Sequence, residues 1–368
     1  MDAKSLPVIL IVDDIELNRA ILSEAFDGLY TVLEAENGEE ALRLIENHLD
    51  QISAILLDYI MPKVDGFQVL ETMNRRGWIK RMPIVMISSD DSDEQVLKGY
   101  ELGVSDFIGR PFSASIVRRR VANLIDLYRH RDHLEYLVQK QTQKLKQSNL
   151  FMIDTLSTVV EFRNGESGLH TRRIRCVSAL LLQELARRYP EYGLTEDIIE
   201  EISNAAVLHD IGKIAVPENI LNKPGKLTAE EFEVMKAHTV KGGDILGDIE
   251  HIHDQTYIRY CFDICRHHHE RWDGRGYPDG LAGDAIPLSA QVVSLADVYD
   301  ALTSKRVYKP AYSHDKAIQM ILNGECGMFN PRILECLLAY EDRIEREIQK
   351  LLEAEAGVMD GGLLKEAK

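Results

Sequence analysis

Five short apolar runs in the first third of the chain constrain the fold more than any other feature. Val8-Ile9-Leu10-Ile11-Val12 and Ile52-Ser53-Ala54-Ile55-Leu56-Leu57 are the clearest. Ile84-Val85-Met86-Ile87, Phe107-Ile108 and Thr31-Val32-Leu33 complete the set. Near-continuous apolar runs of this length mark strands buried on both faces, the situation in a parallel sheet covered by helices. Amphipathic stretches such as Gly38–Glu46 and Asp93–Leu102 lie between them. The order predicts a doubly wound α/β sandwich whose site lies outside the carboxyl ends of its strands. Asp13 and Asp14 follow the first run and Asp58 follows the third. Three carboxylates converging there repel one another unless a hard cation such as Mg²⁺ neutralises them.

The 368 residues leave room for a second domain of ordinary size and a connector. A net charge of −17, from 43 basic and 60 acidic residues, argues against a general nucleic-acid binder. It leaves open a small anionic ligand held by a few local cations. No basic recognition helix follows the first domain, so a DNA-binding output is not expected. Cys176, Cys261, Cys265, Cys326 and Cys336 show neither metal nor disulfide spacing and are read as reduced. No run approaches 18 apolar residues and the N-terminal run lacks a cleavage site. The expectation is a cytoplasmic protein without membrane insertion.

Residues from about 118 to 150 contain no Pro or Gly and predict one continuous helix. Leu124, Leu127, Leu134, Val138, Leu145 and Met152 fall at heptad-like positions, interrupted by Arg131, Gln141 and Ser148. That pattern predicts a weak two-stranded coiled coil and hence a homodimer. Helical periods dominate the chain beyond this connector (Val177–Arg188, Thr195–Leu208, Thr228–Leu246), which predicts an all-α second domain.

Within it, Leu208-His209-Asp210-Ile211-Gly212-Lys213 places a neutral nitrogen ligand beside an anionic oxygen ligand. The Asp210 carboxylate has two oxygens and can bridge two metal ions roughly 3.5–4 Å apart, the arrangement that clamps a phosphoryl centre. On a helix Lys213 would project from the same face as His209. Glu166 and His170 are four apart, and His238, the run His267-His268-His269 and Asp297 offer further ligands. Three consecutive histidines cannot all face one site on a helix. Asp297 sits in an apolar context and needs a partner cation or donor. All-His/carboxylate ligation suits Fe, Mn, Zn, Co or Ni.

These motifs, with Lys223-Pro224-Gly225, Gly276-Tyr277-Pro278, Asp297-Val298-Tyr299-Asp300 and Arg306-Val307-Tyr308-Lys309, make residues 151–345 resemble an HD-GYP domain. That family is the metal-dependent phosphodiesterase branch of the HD superfamily and cleaves cyclic di-GMP to pGpG and GMP. The resemblance implies Glu166, His170, His209, Asp210, His238, His268, His269 and Asp297 as ligands of two or three divalent transition metals, Fe or Mn foremost. It implies Asp210 and Lys213 as catalytic, and Tyr277, Arg306 and Lys309 as substrate contacts. It leaves His267, His251, His253 and His314 outside the site. Asn164, Ser167 and Asn330 depart from the usual Asp, Thr and Asp without removing a ligand.

The first domain resembles a response-regulator receiver, with the flavodoxin-like fold. By that resemblance Asp58 is the phosphoacceptor, Asp13 and Asp14 hold Mg²⁺, Ser88 and Phe107 are the switch residues, and a cognate sensor histidine kinase is the partner. Arg110 stands where the family has lysine, which brings a planar fork in place of a point charge. The expected organisation is a receiver over 1–127, a helical linker over 128–150, an HD-GYP domain over 151–345 and an acidic tail over 346–368. Two rival readings are a catalytically weak HD-GYP scaffold acting through protein contacts, and an HD-type hydrolase of another nucleotide.

Overall fold

The computed structural model describes residues 6–88, 92–164, 168–247, 255–304 and 311–362. The chain divides into two compact units between Gln143 and Lys144. In the first, β1 (Val8–Val12), β2 (Thr31–Ala35), β3 (Ile52–Asp58), β4 (Ile84–Ser88) and β5 (Asp106–Gly109) form one sheet in the order β2-β1-β3-β4-β5. Every neighbouring pair is parallel. Alternate residues of each strand face opposite layers, which is why the apolar runs are continuous. Leu10, Val12, Ile55, Leu57 and Met86 pack with residues of α2 (Gly38–His48) and α3 (Gly66–Arg75). Ile9, Ile11, Leu56, Val85 and Ile108 pack with α1 (Glu16–Phe26) and with Val117 and Val121. Asn37 caps α2, and a reciprocal Asp65–Gln68 capping box starts α3. The helix α4 is Asp93–Glu101. Pairing of Val12 with Leu57 brings Asp13 and Asp58 to the same carboxyl-end level, beside Ser88 at the end of β4.

Helix α5 spans Ala114–Arg163, 50 residues, and so exceeds the expected connector at both ends. No Pro or Gly interrupts it before Gly165. Val117, Val121 and Ile125 are buried in the first core, and Leu124 packs against that core too. Leu124 therefore leaves the predicted coiled-coil seam. Leu127, Leu134, Val138, Leu145, Met152 and Val159 are exposed, and the last four of these are spaced by sevens.

The second unit is helical: α6 (Leu169–Arg188), α7 (Glu196–Ala205), α8 (Glu218–Leu221), α9 (Ala229–Gly247), α10 (Gln255–His267), α11 (Leu288–Thr303), α12 (His314–Leu322) and α13 (Pro331–Gly362). Its core joins Leu181, Leu185, Ile264, Val292, Leu295, Tyr299, Ile318 and Leu337. Ile344 and Ile348 of α13 are buried in it as well, so the core reaches past residue 345. The His209-Asp210 pair does not lie on an α-helix, contrary to expectation. It sits between two 3-10 turns, Ala206–Leu208 and Ile211–Ala215, closed by i→i+3 bonds such as Lys213 N to Asp210 O at 2.9 Å. Gly212 permits this: a Cβ there would lie 1.9 Å from the carbonyl oxygen of His238 on α9. All five cysteines are free.

Candidate metal centre and acidic cleft

Five segments of the second unit deliver side chains to one buried place. His170 comes from the first turn of α6, His209 and Asp210 from the 3-10 junction, and His238 from α9. His268 and His269 follow the end of α10, and Asp297 lies on α11. The ligand atoms of His170, His209 and Asp297 all lie within 4.8 Å of one another, as do those of His238, His268 and His269. Asp210 stands between the two triads. Its Oδ2 is 3.2 Å from His209 Nε2, while its Oδ1 is 3.3 Å from His238 Nε2 and 3.9 Å from His268 Nε2. Lys213 Nζ donates to Asp210 Oδ2 at 2.5 Å.

The other ring nitrogens fix the tautomers. Nδ1–H of His209, His238 and His268 donates to the carbonyls of Ala206, Met235 and Ile264 at 3.0, 2.7 and 2.9 Å. Their Nε2 lone pairs are thereby directed inward, the usual outer support of metal-bound imidazoles. Those three Nε2 atoms and Asp210 Oδ1 are buried without a hydrogen-bond partner among the described residues. His170 differs: its Nδ1–H donates to Asp300 Oδ2 at 2.7 Å. Orphaned buried acceptors are costly in a protein interior unless something coordinates them.

Electrostatics point the same way. Burial pushes the Asp210 pKa up, but Lys213 and His209 outweigh it and hold the carboxyl well below its usual range. Burial likewise disfavours charge on His209, yet Asp210 and Asp297 raise it to about 9. Burial and the neighbouring His209 leave His268 at about 3, and burial with His268 holds His269 well below an ordinary histidine. Neutral His238, His268 and His269 beside a firmly ionised carboxylate are a donor set for a divalent cation, and such a cation would take the place of the proton that Asp210 and Asp297 draw onto His209. The residues therefore fit the metal ions that an HD-type domain implies.

The Gly276-Tyr277-Pro278 loop is held beside this centre. Tyr277 lies against His269, ring centroids 4.7 Å apart at 35°, and meets Phe232 edge-on at 6.2 Å. Lys236 Nζ sits 5.6 Å from the Tyr277 ring centroid and 5.5 Å from that of Phe232. Buried Glu270 Oε1 accepts from the backbone N–H of Asp279 at 2.7 Å and of Gly280 at 3.0 Å. His267 Nε2 and Arg266 both engage Asp279, so the third histidine faces the loop rather than the metal triads. His314 Nδ1 bonds the Tyr299 hydroxyl at 2.8 Å. Sequence alone gave no role to Phe232, Lys236, Glu270 or Asp300, although Glu270 follows the ligand His269 and Asp300 lies three residues after Asp297. Glu166, Arg306, Lys309, His251 and His253 fall outside the described residues.

In the first unit, ligand atoms of Asp13, Asp14 and Asp58 also lie within 4.8 Å of one another. Arg110 Nη2 donates to Asp13 Oδ2 and lies 3.6 Å from Asp58 Oδ2. Burial raises the Asp58 pKa to about 6, opposed by Arg110 and reinforced by Asp13. Ser88 is fully buried, and Phe107 is partly buried against the core. A cluster of three carboxylates with one guanidinium suits a hard cation.

A parallel α/β receiver followed by a helical unit with a histidine–aspartate centre defines a response regulator with an HD-type hydrolase output. Residues 9–122 match the response regulator receiver domain family, and residues 154–333 match the HD domain family. A probable cyclic di-GMP phosphodiesterase of Vibrio cholerae is 34% identical over 98% of this chain and 83% of its own length. The cyclic di-GMP phosphodiesterase response regulator RpfG of Xanthomonas campestris is 32% identical, over 92% of this chain and 89% of its own. A cyclic di-GMP phosphodiesterase of Thermotoga maritima is 32% identical, over 91% of each. The chain belongs to this family of receiver–HD cyclic di-GMP phosphodiesterases. Among the described residues, no helix is long and apolar enough to cross a membrane.

Proposed function

We propose that this chain is a response regulator whose output is metal-dependent hydrolysis of cyclic di-GMP to pGpG, GMP or both. One observation carries the reading: Asp210 presents one oxygen to each of two imidazole-containing triads, with the facing Nε2 atoms of His209, His238 and His268 buried without a hydrogen-bond partner among the described residues. The substrate comes from the names of the relatives. His170, His209 and Asp297 would hold one metal ion, His238, His268 and His269 another, with Asp210 shared and Glu166 available to a third. When bound, such ions supply Lewis-acid charge and bring water into the range of neutral-pH ionisation.

The protein groups do the rest. Lys213, pinned beside Asp210, offsets negative charge developing on the phosphoryl oxygens or protonates the leaving 3′-oxygen. Arg306 and Lys309 hold the diester by charge-assisted contacts. Tyr277 offers its ring to a guanine, and Glu270 keeps the loop beneath it from drifting. Replacing Asp210 with alanine should abolish turnover, since its two oxygens are the carboxylate contacts that face His209 on one side and His238 on the other. A fully metallated wild-type protein that binds the dinucleotide but never cleaves it would favour a scaffold role.

Regulation is part of the same proposal. Asp58 accepts a phosphoryl group from a sensor histidine kinase, with Mg²⁺ on Asp13 and Asp14 and with Ser88 and Phe107 as switch residues. Two copies pair along α5 through Leu127, Leu134, Val138 and Leu145, all of which are exposed. The linker of 128–150 would then join a receiver of 1–127 to a hydrolase beginning near 151, and the tail's first turn, with Ile348, belongs to the hydrolase core. Light scattering with and without beryllofluoride tests the pairing; a monomer in both states refutes it.

A further inference from the structure

We infer that Asp300, braced by Arg173, is a positioning residue that fixes the tautomer of His170 and makes the His170–His209–Asp297 position the tighter of the two metal positions. The inference rests on the metal-dependent hydrolase reading above and extends it to residues outside the ligand set.

The geometry is a lattice between two helices. His170 and Arg173 are three apart on α6, and Asp297 and Asp300 are three apart on α11, so each pair shares one helical face. His170 directs Nε2 toward Asp297, 3.8 Å away, and donates from Nδ1 to Asp300 Oδ2 at 2.7 Å. Arg173 grips the same carboxylate with two nitrogens: Nε on Oδ1 and Nη2 on Oδ2, the latter at 3.1 Å. Ser304 Oγ adds a bond to Oδ1 at 3.2 Å. The Asp300 side chain is 1% exposed, so this contact is sheltered from water.

What sets His170 apart is the acceptor behind it. His209, His238 and His268 lean on neutral backbone carbonyls. His170 leans on a carboxylate, which draws its Nδ1 proton more strongly and enriches the Nε2 lone pair. Arg173 keeps that carboxylate ionised and its plane fixed, as a bidentate guanidinium does. Only one of the two triads receives this support among the described residues, so the two positions differ in affinity although both are rich in imidazole.

The test is titration of the metal-free full chain with Zn²⁺ against a competing fluorescent chelator. Wild type should load in two phases. Asp300→Asn should weaken the first phase about 10–100-fold, the range found on removing such partners, and leave the second unchanged. Arg173→Lys, a milder change, should weaken the same phase several-fold, which covers the case that Asp300→Asn does not fold. In a His170→Ala background, Asp300→Asn should have no further effect on Zn²⁺ affinity. Two normal phases in Asp300→Asn and Arg173→Lys overturn the inference, as does an equal loss from Asp300→Asn with and without His170. A wild-type protein that takes up no Zn²⁺ overturns the hydrolase reading and this inference together.

Discussion

Gly212→Ala is the smallest change that should disable the centre without touching a ligand. A Cβ at this position would lie 1.9 Å from the His238 carbonyl oxygen and 2.5 Å from the Gly242 nitrogen, both backbone atoms that cannot rotate away. Relief to an ordinary contact requires about 1.5 Å of separation between the 3-10 turn and α9. Such a movement would part Asp210 from His238, whose facing atoms are 3.3 Å apart. A misplacement of about 1 Å at a reacting centre costs on the order of 100-fold in rate. Forcing an extra methyl into a close-packed interface costs about 1–3 kcal/mol. The expected result is turnover at least about 100-fold lower, with the melting temperature lowered by roughly 2–4 °C per kcal/mol. Helical circular dichroism should be retained. A variant with wild-type melting, metal content and turnover would falsify the claim that this contact sets the spacing of the two triads.

Other contacts lead to three more expected outcomes. Glu184 is inaccessible and its pKa is held at about 2, first by its bond from Arg187 and then by Arg188. A carboxyl with a depressed folded pKa stabilises fully above its unfolded value, near 4.5, and loses that contribution as pH falls through about 2. Glu184→Gln should therefore melt a few degrees lower at pH 7, with the gap to wild type shrinking between pH 4.5 and 2; a gap independent of pH contradicts the ion pair. Glu270→Ala should raise KM for the dinucleotide at unchanged metal content, because the Asp279 and Gly280 N–H groups lose their acceptor; loss of metal would place Glu270 among the ligand supports instead. Arg110→Lys should bind Mg²⁺ more tightly by calorimetry, since a point charge releases Asp13 from the guanidinium; equal affinity would mean that Arg110 does not compete with the cation.

The receiver sheet was legible because its central strands β1, β3 and β4 are buried on both faces, so Val8–Val12 and Ile84–Ile87 carry the signal in composition alone. The ligand types were legible too, and seven of them, among the described residues, converge. What could not be read is contact across long stretches of chain. Arg173 and Asp300 are 127 residues apart, and nothing local to either marks the partner. Glu270 looks like one more acid beside two histidines until the fold returns Asp279 and Gly280 to it. The 3-10 geometry at His209-Asp210 was missed because apolar periodicity continues through Leu208, while the reason for the tighter turn is the approach of α9 to Gly212. Leu124 illustrates the converse: its heptad position is genuine, but the receiver core claims it first.

Hydrolysis by this chain depends on a metal centre shared through Asp210. Its most direct test is turnover of cyclic di-GMP measured against metal bound per chain, using metal-stripped protein reconstituted anaerobically with Fe²⁺ or Mn²⁺. The expected result is no turnover in the stripped protein, activity that rises as both triads fill, and none at any loading in Asp210→Ala. Full turnover in stripped protein, or in metal-loaded Asp210→Ala, would contradict it.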